Sequence, residues 1–252
     1  VIGANPFAAV AELLSPLAPK VYIVLMVLAV VIGTLFDVSH KGSAKFFAER
    51  RERARASART ALSGTATVPL VLRTIAEAAV SGEFCKWPRR ASHLLMMYGF
   101  LLHCVATVLL VFVYPGGGSE SGFVPLLWSV GALMVVVGGL WFFFFLRVNV
   151  VQDGASPFYL GRADLFVGSL VAAMAFALLW QFAQPASGAV SGALIFFALY
   201  IFFATLLFGS VPWSKFGHMF FKPAVALQRR VEEANGSTDL PRPTTENFIA
   251  RS

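Results

Sequence analysis

The chain has 252 residues, 58% of them hydrophobic, with a mean hydropathy of +0.74 and a formal charge of +7. Soluble domains run nearer 45–50% apolar, so the composition excludes an ordinary water-soluble domain and predicts an all-α, polytopic membrane protein. Strand-type alternation is absent, which argues against a β-barrel, and the basic balance follows from membrane topology rather than from nucleic-acid binding.

Residues 1–16, with Pro6, Phe7 and Pro16, read as an interfacial approach to the membrane. Five stretches are long enough to cross a ~30 Å hydrocarbon core as helices: about 17–37, 91–114, 124–146, 163–183 and 189–211. They form a transmembrane domain expected over 1–230, followed by a polar tail, 231–252, that is extended along a partner or disordered. The long connector 38–90 holds KFFAERRERARASARTAL (45–62), read as a basic amphipathic surface helix attracted to anionic lipid or docking a soluble partner. VPLVLRTIAEAAV (68–80) reads as a second surface helix, too short and charged to span.

Of twenty Lys and Arg residues, nineteen fall on one side, in the 38–90 connector, the 147–162 loop and the stretch from Lys215 onward; Lys20 lies opposite. The positive-inside rule then predicts the N-terminus outside and the C-terminus cytoplasmic, and the expected location is an inner, plasma-type membrane. The spans hold almost no charge, and their deep polar residues are His103, Cys104, Thr107 and Tyr200. A non-redox transporter usually carries deep ionisable groups and broken repeated helices, so that class is disfavoured. Phosphate-binding glycine loops, GxSxG, paired carboxylates and CxxC are all missing, and nothing outside the membrane is large enough for a separate catalytic domain.

The histidines carry the chemistry. Imidazole is costly to place in lipid without a partner. His93 and His103, ten residues apart in the second span, are separated by about 15 Å along a helix and about 80° around it. They address two layers and not one metal. His218 follows the fifth span at a depth that can match His93, so the two can hold a bis-histidine haem b; Gly99, Ala91 and Ser92 would let a flat macrocycle approach. His103 has a plainer account as a hydrogen-bonding partner of Tyr200 or of a backbone carbonyl, and a functional one as a proton or quinone contact. Cys85 lies eight residues before His93 in a stretch that can fold back over the same layer. Histidine with thiolate is the ligand set of a Rieske-type [2Fe–2S] cluster, two of each, although Cys104 stands about 16 Å deeper than His93 on a regular helix. The residues leave haem b, an iron–sulfur centre and no cofactor all open.

RRASHLLMMYGFLLH, with its His-x9-His spacing, and VPWSKFGH closing the last span resemble the cytochrome-b-like membrane subunits of respiratory nitrate reductase (gamma), heterodisulfide reductase (E) and the quinone-interacting membrane oxidoreductase (C). The resemblance covers roughly 85–225. Two-haem members carry a further histidine eighteen residues before the last one. Tyr200 occupies that position here, so the resemblance implies one haem held by His93 and His218, with His103 left without a second iron. Length, basic connector and a single anchoring chain also resemble the membrane anchor of actinobacterial-type succinate dehydrogenases. That likeness implies a respiratory quinone oxidoreductase, succinate:quinone oxidoreductase, with cytoplasmic flavoprotein and iron–sulfur subunits delivering electrons to membrane quinone. In that role the chain is part of an enzyme without acting on the soluble substrate itself. Trp87, Arg89, Arg90, Tyr98, Trp213 and Lys215 are the candidate quinone contacts near the inner interface; each also suits an aromatic-and-basic headgroup belt. The competing expectation is a cofactor-free anchor that only positions a soluble dehydrogenase.

Overall fold

The computed structural model describes residues 3–8, 10, 14–40, 43–82, 84–115, 122–147, 161, 164–186, 190–211 and 218–238. Among them the protein is all-helical: α1 (Leu17–His40), α2 (Ser43–Ala56), α3 (Gly64–Ala79), α4 (Trp87–Val108), α5 (Phe123–Trp141), α6 (Leu165–Ala186), α7 (Val190–Gly209) and α8 (His218–Asn235). Helices α1, α4, α5, α6 and α7 are long and apolar enough to cross a membrane, and they match the five expected spans to within a few residues. The chain is a multi-pass membrane protein. α4 starts at Trp87 rather than near 91 because Lys86 is extended (φ −95°, ψ 123°) and Pro88 sits in the first turn, where a missing N–H costs nothing. α4 and α5 each end in a π-helical turn, Leu109–Val113 and Phe142–Leu146.

Two compact units divide the chain, one from Val1–Asp37 with Val80–His218 and the other from Val38–Ala79 with Met219–Ser252. In the first, α4 packs on α5, α5 on α6 and α6 on α7. Lipid supplies no hydrophobic drive between helices, so close van der Waals packing through small residues must hold them. Gly99 and Gly131 do this. A Cβ on Gly131 would stand 2.7 Å from the Gly99 oxygen and 2.7 Å from the His103 nitrogen, and one on Gly99 would stand 2.7 Å from the Gly131 oxygen. One layer away, a Cβ on Gly138 would meet the Ser92 oxygen at 3.0 Å, and Ser92 Oγ donates to the Gly138 carbonyl at 2.8 Å. The room expected for a macrocycle at Gly99 and Ser92 is therefore filled by the α5 backbone. α1 is tied to α7 where the Tyr22 hydroxyl meets Thr205 Oγ1 at 3.0 Å.

The second unit is laced by ion pairs. Arg50 on α2 donates through two nitrogens to Glu232 on α8, at 2.9 and 2.7 Å. Arg230 on the same helix pairs with Glu77 and with Thr74 of α3. Asn235 closes the end of α8 by accepting from the Arg59 and Thr60 backbones at 2.9 and 3.3 Å. α8 runs past position 230, where an irregular tail was expected, because Gln228–Glu232 and Arg229–Glu233 pairs at i,i+4 support it; residues 239–252 lie outside the described set. α2 stops at Ala56, short of the expected 62, and its charges surround it. Arg50 turns inward while Arg51, Arg53 and Arg55 are exposed, so it is basic without having two faces.

Candidate functional site

α4 carries two histidine layers, and the structure builds them differently. His103 is buried in the middle of the bundle, 2% exposed. Its Nδ1 lies 3.0 Å from the Trp128 carbonyl. A carbonyl only accepts, so Nδ1 carries the proton and Nε2 presents a lone pair. That lone pair accepts from the Tyr200 hydroxyl at 3.3 Å. Thr107 Oγ donates to the His103 carbonyl at 2.7 Å and accepts from Trp128 Nε1 at 2.9 Å. The imidazole lies against the Trp128 ring, centroids 4.6 Å apart. Both ring nitrogens thus have partners within the protein.

Around this pair the bundle is filled with rings. Trp180 lies 6.0 Å from Tyr200, nearly parallel, and 6.1 Å from Trp128, edge-on. Phe7 wedges between the two tryptophans, 5.9 Å from Trp128 and 5.3 Å from Trp180. Asn5 fixes the segment, donating to the Leu110 and Tyr114 carbonyls at 3.2 and 2.8 Å, where the π-helical turn leaves acceptors available. Gln184 Nε2 donates to the Pro6 carbonyl at 2.8 Å. Residues expected at an interface are therefore built into the core. Ser129 Oγ donates to Gln181 Oε1 at 2.7 Å between α5 and α6, a buried polar tie absent from the sequence reading.

At the other end of α4, His93 is half-buried. The chain preceding the helix folds back over its first turns. Arg90 Nε donates to the Val80 carbonyl at 2.7 Å, Ser81 Oγ lies 2.8 Å from His93 Nδ1, and the Phe84 ring packs on the imidazole at 5.0 Å. Ser81 is 2% exposed and held at φ 50°, a left-handed conformation that costs a side-chain-bearing residue about 1–2 kcal/mol. Ser81 thus fixes the orientation of the imidazole from its Nδ1 side.

The remaining candidates are dispersed. Cys85 is exposed just before α4, next to the Phe84 that touches His93. Trp87, Arg89 and Tyr98 are exposed, and Arg90 is partly covered. Trp213 and Lys215 lie outside the described residues, as does the side chain of His218, whose backbone opens α8. Cys104 lines a shallow apolar groove of about 260 Å³ with Val105, Val108 and Leu109. Because α4 is unbroken from Trp87 to Val108, Cys104 stands about 26 Å beyond Trp87 and cannot share a cluster with Cys85. Among the described residues no three His, Cys, Asp or Glu side chains converge as metal ligands.

A scan of protein-family models, a search of curated proteins and a search of solved structures return no match.

Proposed function

We propose that this protein is the membrane anchor and electron-transfer subunit of a respiratory quinone oxidoreductase, most closely of the succinate:quinone kind, with its His93 end on the cytoplasmic side of the plasma membrane. There it would meet an iron–sulfur subunit and a flavoprotein. One observation carries the reading: the strained, buried Ser81 with its oxygen on His93 Nδ1. That contact suits Nδ1 as the donor and Nε2 as the nitrogen for iron. His93 and His218 would hold a haem b, which supplies one-electron redox chemistry when bound. The closed Gly99–Gly131 contact keeps such a group at the His93 layer. Reduction of quinone takes two electrons and two protons. Trp87, Arg89, Arg90 and Tyr98 are the donors at this end that could bind the quinone oxygens, with Trp213 and Lys215 completing the set.

A second reading shares the same histidine. Phe84 rests on His93 and Cys85 follows it in sequence, which supports a mixed histidine–thiolate [2Fe–2S] centre completed by ligands from beyond this chain's described residues. Spectroscopy of the complex purified with its partners separates the two. Sharp reduced-state α and Soret bands support haem. Acid-labile sulfide with a low average g value supports the cluster. Neither signal leaves a plain anchor and overturns both. His93→Ala should abolish quinone reduction while dye-linked oxidation by the soluble partner continues; unaltered quinone reduction contradicts the assignment.

A further inference from the structure

We infer that the exposed stripe of α3 is a membrane-surface contact, laid on the headgroup and upper acyl region of an anionic bilayer. Val68, Leu72 and Ile75 are 54%, 61% and 60% exposed. At 100° per residue they fall within about 60° of one another, so they form one continuous stripe along the helix. The opposite side is committed: Thr74 is buried and Glu77 pairs with Arg230 of α8. The helix cannot roll to hide the stripe without breaking those bonds.

Two features choose lipid over a protein as the occupant. The stripe is purely aliphatic, whereas protein interfaces concentrate their energy in Trp, Tyr and Arg, with Leu and Val under-represented. The chain around it also starts and ends at spans. α2 begins at Ser43 after α1 ends at His40, and α4 begins at Trp87 after α3 ends at Ala79. The first of these connectors reaches only about 10 Å. Charge supplies the preference for anionic lipid, because Arg51, Arg53 and Arg55 of α2 are exposed and each basic residue near such a surface adds attraction that fades within a Debye length. Aliphatic stripe and arginines together are the chemistry of an interfacial helix. The inference stands on the membrane spans alone and is independent of the redox reading.

The test places photoreactive benzoylphenylalanine at position 72, 75 or 73 of the full chain, in vesicles of phosphatidylethanolamine and phosphatidylglycerol with the native partners present. Illumination should give phospholipid-mass adducts at 72 and 75 and none at Arg73, which points away. A polypeptide adduct at 72 and 75, or no adduct there, overturns the inference. As a second measurement, Leu72→Asp should lose most of the rise in thermal midpoint that the parent chain shows on moving from phosphatidylcholine to phosphatidylglycerol nanodiscs. An unchanged rise also overturns it.

Discussion

His93 and His103 sit on one unbroken helix, ten residues apart, and have opposite relations to the protein. His103 is a finished structure. Its two nitrogens are spent on the Trp128 carbonyl and Tyr200 hydroxyl, and aromatic rings fill the space around it. His93 is half-buried and held by a serine kept in a costly backbone conformation. Imidazole inside a membrane protein is therefore not a functional sign by itself. Removing His103 is expected to cost stability, and on the proposed reading removing His93 costs chemistry.

The largest effect should come from the packing that separates the two layers. Gly131→Val would drive a branched side chain into the Gly99 and His103 backbones, which stand 2.7 Å from where even a Cβ would sit. Backbone cannot swing aside as a flexible side chain can, so α4 and α5 must part. The expected cost exceeds about 4 kcal/mol, read as a collapsed thermal midpoint or as aggregation in detergent. A stable Gly131→Val protein would mean the helices slide freely and the two layers are not held apart.

Next comes the direct contrast. His103→Ala opens a void among Trp128, Trp180 and Tyr200 and strands the Tyr200 hydroxyl, for a loss of about 3 kcal/mol. Tyr200→Phe removes one long hydrogen bond and should cost about 1 kcal/mol. Neither should alter the visible or paramagnetic signals of the complex. His93→Ala should cost about 1–2 kcal/mol, through the lost Ser81 hydrogen bond and Phe84 contact, and on the proposed reading should remove those signals. The pattern reversed, with signals lost at His103 and kept at His93, would exchange the roles of the two layers. Thermal unfolding and spectra on the same samples decide it.

Much of this contrast was legible in the sequence, and the missing parts have physical reasons. Hydropathy marks all five spans because lipid demands about twenty apolar residues whatever the neighbours do. The Tyr200 partner of His103 was readable as one of few deep polar residues. Ser81 was not, because a loop serine has no period and a positive φ leaves no mark on a non-glycine residue. Phe7 was placed at the interface because a lone aromatic between prolines says nothing of the slot between Trp128 and Trp180. The approach of α4 to α5 could have been found: Gly131 and Gly138 lie seven residues apart on one face, a small-residue seam of the kind membrane helices use. α8 was missed beyond position 230 although its i,i+4 charge pairs were in plain sight.

Ser81 allows a finer cut through the same comparison. Ser81→Gly loses the hydrogen bond to His93 but relieves the left-handed strain, so its stability should stay within about 0.5 kcal/mol of the parent. Ser81→Ala loses the bond and keeps the strain, costing about 1 kcal/mol. On the proposed reading both should lower loading of a centre at His93 or move its reduction potential, since both remove the Ser81 oxygen from His93 Nδ1. If Ser81→Gly matches the parent in potential and loading while folding equally well, the serine serves the turn rather than the histidine.

The last test lies in the second unit, Val38–Ala79 with Met219–Ser252. The guanidinium of Arg50 holds the Glu232 carboxyl below its ordinary range, against the opposing push of burial, and Gln228 adds a further hydrogen bond. A carboxylate lowered on folding contributes its full share above the unfolded value near pH 4.3. That share is lost as pH falls through the lower folded value. Glu232→Gln should therefore cost about 1–2 kcal/mol at pH 7, and the gap between variant and parent should narrow steadily below about pH 5. A gap that stays constant down to pH 3 would show that the Arg50–Glu232 pair acts through shape and not charge. Glu232→Gln alters none of the side chains proposed at the His93 layer, so its pH profile is a control for the histidine experiments.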